Sequence, residues 1–91
     1  MELDLSKIKT KQDLMGWFSL NFHFPDYFGS NWDAVWECLI DYCQQDITVT
    51  IKNRKYATPE LQKELLTLEE IVRDFNKSQK NKITLLEESN E

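Results

Sequence analysis

The sequence predicts an α/β domain, a small three-stranded parallel sheet packed by about four helices. Three observations carry this expectation. Ile47-Thr48-Val49-Thr50-Ile51 is a β-branched run with strict alternation, the pattern of a strand. Weaker strand-like stretches lie near the two ends, at Leu3 to Ile8 and at Ile83 to Leu86. Capped helical segments fill the intervals, giving the order β-α-α-β-α-α-β. Strands joined by helical crossovers pair in parallel, and right-handed crossovers place the helices on one face of the sheet.

Taken in order, Leu3 to Ile8 reads as a short, edge-like strand. Thr10-Lys11-Gln12-Asp13 is a capping box in its Asp variant, opening a helix with Leu14, Trp17, Phe18 and Phe22 on one side. Phe24-Pro25-Asp26-Tyr27-Phe28-Gly29 ends that helix: Pro25 fixes φ, and Gly29 is free to adopt positive φ. A second helix runs from about Asn31 to Tyr42, and the strand Ile47 to Ile51 follows. Thr58-Pro59 supplies an N-cap and first residue for a third helix carrying Leu61, Leu65 and Leu66. Thr67-Leu68-Glu69-Glu70 is another capping box and predicts a fourth helix, with Ile71, Val72 and Phe75 inward. Lys80-Asn81-Lys82 closes it before the last strand.

A chain of 91 residues, 41% hydrophobic and 30% charged, fits one globular domain over 1–91. No apolar run approaches the roughly 18 residues of a membrane span, and the N-terminus lacks a signal-peptide pattern, so a cytoplasmic protein is expected. Cys38 and Cys43 match neither a CxxC pair nor a zinc knuckle, and the single His23 cannot complete a metal site with them. Buried, reduced thiols are expected, with no metal and no cofactor. Eleven basic against sixteen acidic residues leave a net charge of −5, which disfavours nucleic acid and anionic membranes as partners.

The placement of that charge is more informative than its size. From Phe24 to Ile51 there is no Lys or Arg, but there are Asp26, Asp33, Glu37, Asp41 and Asp46. Nine of the eleven aromatic residues fall between Trp17 and Tyr42. At about 100° per residue, Asp33, Trp36, Glu37, Ile40, Asp41 and Gln44 share one side of the second helix. Val35, Cys38, Leu39 and Tyr42 already supply a core-facing side. Trp36 and Ile40 are thereby expected on the side away from the core, interleaved with carboxylates.

Asp33 has a plain structural use as the N3 residue of Ser30-Asn31-Trp32-Asp33, where it would cap the helix, and an acidic side is often only solvated. Two details favour a binding role. Asp33, Glu37 and Asp41 form successive like-charge pairs four residues apart, a destabilising arrangement. A Trp among carboxylates is also typical of interface hot spots. Catalysis is not expected, because a convex helix offers no pocket to separate the pKa values of an acid and a base, and no Ser, His or metal cluster accompanies the acids.

The stretch Phe24-Pro25-Asp26-Tyr27-Phe28-Gly29-Ser30-Asn31-Trp32-Asp33-Ala34-Val35-Trp36-Glu37-Cys38-Leu39 closely resembles the barstar family of ribonuclease inhibitors, whose pattern it follows throughout. The resemblance implies a three-stranded parallel sheet packed by helices. It also implies a 1:1 complex with a basic, guanyl-specific ribonuclease of the barnase type, whose active site the second helix and preceding loop would plug. Carried over by position, Tyr27 and Gly29 would be loop contacts, and Asn31 and Asp33 would meet the enzyme at the helix start. Trp36 would pack at the interface, Glu37 would stand in for a substrate phosphate, and Ile40 and Tyr42 would lie at the contact edge. The free protein would be a monomer. Three positions depart from the family pattern: Glu37 stands for Asp, Phe28 for Tyr, and Lys77 for a Glu of the last helix. They leave open an immunity or regulatory role toward a different basic nuclease toxin, or toward a basic protein that is not a nuclease.

Overall fold

The computed structural model describes residues 1–25 and 29–88. Among them are strands β1 (Glu2–Asp4), β2 (Ile47–Lys52) and β3 (Ile83–Glu87), and helices α1 (Lys11–Phe22), α2 (Trp32–Tyr42) and α3 (Pro59–Ser78). A single 3-10 turn occupies Arg54–Tyr56. The sheet is parallel throughout, in the order β1-β2-β3. The expected α/β fold with a three-stranded parallel sheet is therefore present.

Register sorts the side chains by face. Leu3 lies beside Ile51, Val49 beside Leu85, and Ile47 beside Ile83. Of these, Leu3, Val49, Ile51 and Ile83 are buried, together with Leu14 and Phe18 of α1, Val35 and Leu39 of α2, and Leu65 and Phe75 of α3. The opposite face carries Glu2, Thr48, Thr84 and Leu86, all exposed. The helices thus cover one side of the sheet and leave the other to solvent.

β1 is shorter than the sequence suggests, because the chain turns at once. The Asp4 carboxylate accepts from the Ser6 N–H at 3.0 Å and the Ser6 hydroxyl at 2.7 Å, and the Lys7 N–H donates to the Asp4 carbonyl. Asp4 also accepts from the Asn53 amide at 2.7 Å. These donors, Asn53 foremost, hold its carboxyl down at about 2. Asn53 itself sits in the left-handed region, at φ 59°.

The helical expectation needs one correction. α3 is a single helix of 20 residues running straight through Thr67-Leu68-Glu69-Glu70. Leu61, Leu65, Leu68, Val72 and Phe75 are all buried along it, spaced alternately four and three residues apart. That unbroken stripe over four turns outweighs a four-residue capping pattern. The true start is the expected one, with the Thr58 hydroxyl accepting from the Leu61 N–H at 3.1 Å.

The α1 capping box forms as expected between Thr10 and Asp13, and α1 stops at His23, whose φ is 56°. Gly29 does not take positive φ; the left-handed residue of this connection is Ser30, at φ 55°. Glycine suits position 29 for space instead: a Cβ there would stand 3.3 Å from the Asn31 amide nitrogen, which donates to the Gly29 carbonyl.

Each outer strand meets a helix side chain on its free edge. On β1 the Trp17 indole N–H donates to the Glu2 carbonyl at 2.8 Å. On β3 the Asn76 amide both accepts from the Ile83 N–H and donates to the Ile83 carbonyl, each at 2.8 Å.

Candidate functional site

The residues singled out in the sequence surround α2. Asn31 is its N-cap, in extended backbone at φ −143°, and its side-chain oxygen accepts from the Ala34 N–H at 2.8 Å. The cap lies one residue later than the sequence reading placed it. Asp33 is consequently the second helical residue and not the capping N3 residue. Its carboxylate makes no hydrogen bond or ion pair among the described residues. The Asn31 side chain, by contrast, is engaged at both ends in the turn.

From this start, α2 presents Trp32, Asp33, Trp36 and Glu37 to a groove whose far wall is Ile71 and Asp74 of α3. A second, shallower recess continues along Trp36, Glu37, Ile40 and Asp41. Asp33, Glu37, Asp41 and Asp74 are exposed. None of the four carboxylates has a basic partner among the described residues. Asp41 lies in the last turn, where the helix dipole disfavours an acid, and no basic residue occupies that turn. The local field reaches the interior: the Cys38 thiol is pushed up first by burial, then by Asp41 and Glu37. Burial likewise raises the Cys43 thiol, and both cysteines are free.

Two expectations about this helix are corrected. Trp36 and Ile40 are not turned away from the core: both are half-buried and pack against its margin. α3 runs alongside, with Ile71 and Asp74 across the groove from Trp36. Tyr42, placed inward by the wheel, is instead 43% exposed. It lines a separate recess at the other end of α2, with Phe22, His23 and Cys43.

The structure thus brings Asp33, Trp36, Glu37 and Ile40 together, puts Gly29 and Asn31 at the approach to the helix, and separates Tyr42 from the groove. Tyr27 lies outside the described residues, as do Asp26 and Phe28. Lys77 is exposed in the last turn of α3. Ile71 and Asp74, which form the second wall, were not anticipated. Neither was Glu64, whose carboxylate accepts from the Trp32 indole N–H at 2.8 Å. Residues 64, 71 and 74 share one face of a continuous helix, so a single-helix reading of α3 would have found them. Among the described residues no group of His, Cys, Asp and Glu can hold a metal ion, and no helix is long and apolar enough to cross a membrane.

The family model described as Barstar (barnase inhibitor) matches residues 1–87. A curated relative from Bacillus subtilis (strain 168), named "Putative ribonuclease inhibitor YrdF", is 41% identical over 34 residues. The match covers 37% of this chain and 37% of that relative.

Proposed function

The chain belongs to the barstar family, and on that premise we propose that it inhibits a barnase-type, guanyl-specific ribonuclease by laying α2 and the loop before it into the enzyme's basic active site. The protein acts by binding, in a 1:1 complex, and not as a catalyst. The observation that carries this reading is the groove itself, in which acids without partners among the described residues flank a half-buried Trp36. Arg and Lys side chains that hold a substrate phosphate would meet Glu37 and Asp33 as a substitute anion, through charge-assisted hydrogen bonds. Trp36 would supply apolar contact at the centre, where water is excluded. The acidic field would speed encounter with a basic partner.

The test is inhibition of a panel of barnase-like ribonucleases by the wild-type protein and by Glu37→Ala. Wild-type inhibition at nanomolar concentration, lost in the variant, supports the proposal; no inhibition of any member overturns it. Glu37 and Lys77 also favour a partner somewhat different from the family's usual one. The longer Glu reaches further into a cationic recess than Asp would, and Lys77 reverses a charge on the α3 side. A cognate enzyme that binds Glu37→Asp more weakly than wild type would bear this out.

A further inference from the structure

The α2 carboxylates project from a helix whose first turn is held from two sides. Trp32, the first residue of α2, meets the Phe18 ring of α1 edge-on, with centroids 5.8 Å apart. Its indole N–H reaches across to the Glu64 carboxylate of α3 at 2.8 Å. Trp32 and Glu64 are both half-buried. This hydrogen bond spans α2 and α3, and its Trp32 end lies one residue before Asp33.

The latch borders the groove lined by Trp32, Asp33, Trp36 and Glu37 on one side and Ile71 and Asp74 on the other. A hydrogen bond to a charged acceptor is stronger than a neutral one, and an indole N–H has a single, fixed direction. The bond therefore specifies how α2 is rotated and spaced against α3, and with it where Asp33 and Glu37 point.

We infer that Glu64 is a positioning residue: through the Trp32 indole it presets the first turn of α2, so that the groove carboxylates meet a cationic partner without rearrangement. Preorganisation of this kind lowers the ordering cost of binding and acts mainly on dissociation. The inference rests on the inhibitor reading for its effect on affinity, but the ordering of α2 is a property of the free protein.

The experiment has two arms. In the first, amide hydrogen exchange of the free protein compares wild type, Glu64→Leu, Glu64→Gln and Trp32→Phe. Loss of the latch in Glu64→Leu or Trp32→Phe should speed exchange at Val35, Trp36 and Glu37, whose N–H groups close the first turn, by about tenfold. Exchange in β2 should not change. Glu64→Gln keeps an acceptor oxygen and should remain close to wild type. Equal exchange in all four proteins overturns the inference, whether or not a ribonuclease is found.

The second arm measures binding to whichever ribonuclease the wild type inhibits. Glu64→Leu and Trp32→Phe should each dissociate about tenfold faster, and the double variant no faster than either alone, as expected for two ends of one bond. Glu64→Gln should recover the slow dissociation while losing only some association rate. If Gln behaves like Leu, Glu64 acts as a charge and not as a latch, and the positioning role fails. Failure of the wild type to bind any ribonuclease would instead sink the inhibitor reading and leave the exchange result to decide the latch.

Discussion

Two acidic regions of this molecule treat the same side chains in opposite ways. At the end of the sheet, Glu2 and Glu88 share Lys52, while Glu87 and Glu69 share Arg54. The Lys52 pKa is raised, first by its hydrogen bond to Glu2 and then by the charges of Glu2 and Glu88. Along α2 and its neighbour on α3, Asp33, Glu37, Asp41 and Asp74 have no such partners among the described residues. One region satisfies its acids internally; the other leaves them without a basic partner among the described residues. The lesson is that net charge says little about a surface until each carboxylate has been traced to its partner.

Substitutions can break this contrast, and the largest expected effect is on the unpaired side. Glu37→Ala should weaken ribonuclease binding by about 2–5 kcal/mol, the range established for desolvated charge pairs, a barstar-family complex among them. Its folding stability, followed by urea denaturation, should be unchanged or slightly higher, because Glu37 has no basic partner among the described residues. A variant whose lost binding tracks lost stability would show that Glu37 is structural and erase the distinction.

Arg54→Ala tests the paired side and should do the reverse. It strands Glu69 and Glu87 at a half-exposed site, so it should lower stability by no more than about 1 kcal/mol while leaving inhibition untouched. Weakened inhibition would mean that the two regions are coupled. Asp41→Asn should be smaller still and opposite in sign. Removing a like charge one turn from Glu37, and an acid from the negative end of the helix, should raise stability by about 0.2–0.5 kcal/mol. Association with a basic partner should slow in the same variant, most visibly at low salt.

The smallest effect is expected at low pH. Asp4 is held at about 2 in the folded protein, below its ordinary value of 3.8. Between those values the unfolded chain binds more protons, so the contribution is complete above the higher value and disappears as pH falls toward the lower. Acid titrations of wild-type and Asp4→Asn stability should therefore converge as pH drops from about 4 to 2. Curves that stay parallel through that window would show that Asp4 is not held by Ser6 and Asn53.

Much of this arrangement was legible in the residues, and the exceptions share a cause. The bounds of α1 and β2 follow from local chemistry: a capping box and a β-branched run. The α2 acids were legible too, since a helical wheel fixes which residues share a side. A wheel cannot say what runs beside the helix, and here Ile71 and Asp74 of α3 stand across from Trp36 on the flank that the wheel leaves outside. Splitting α3 at Thr67 had the same root, because a four-residue pattern was weighed without the stripe from Leu61 to Phe75. That split hid the shared face of Glu64, Ile71 and Asp74, since Glu64 fell in one expected helix and the other two in another. Local order was readable; lateral neighbours were not.

The side chains resting on the sheet margins have a consequence for how copies of the protein treat one another. A three-stranded sheet offers two rims, and each rim is a template on which a stray strand can dock and begin an aggregate. Here the indole of Trp17 occupies an outward carbonyl of β1, and the amide of Asn76 fills both outward bonds of Ile83 on β3. Both ladders are stopped by side chains that an incoming backbone would have to displace. Trp17 and Asn76 thus guard both rims of the sheet against pairing with another copy of the chain.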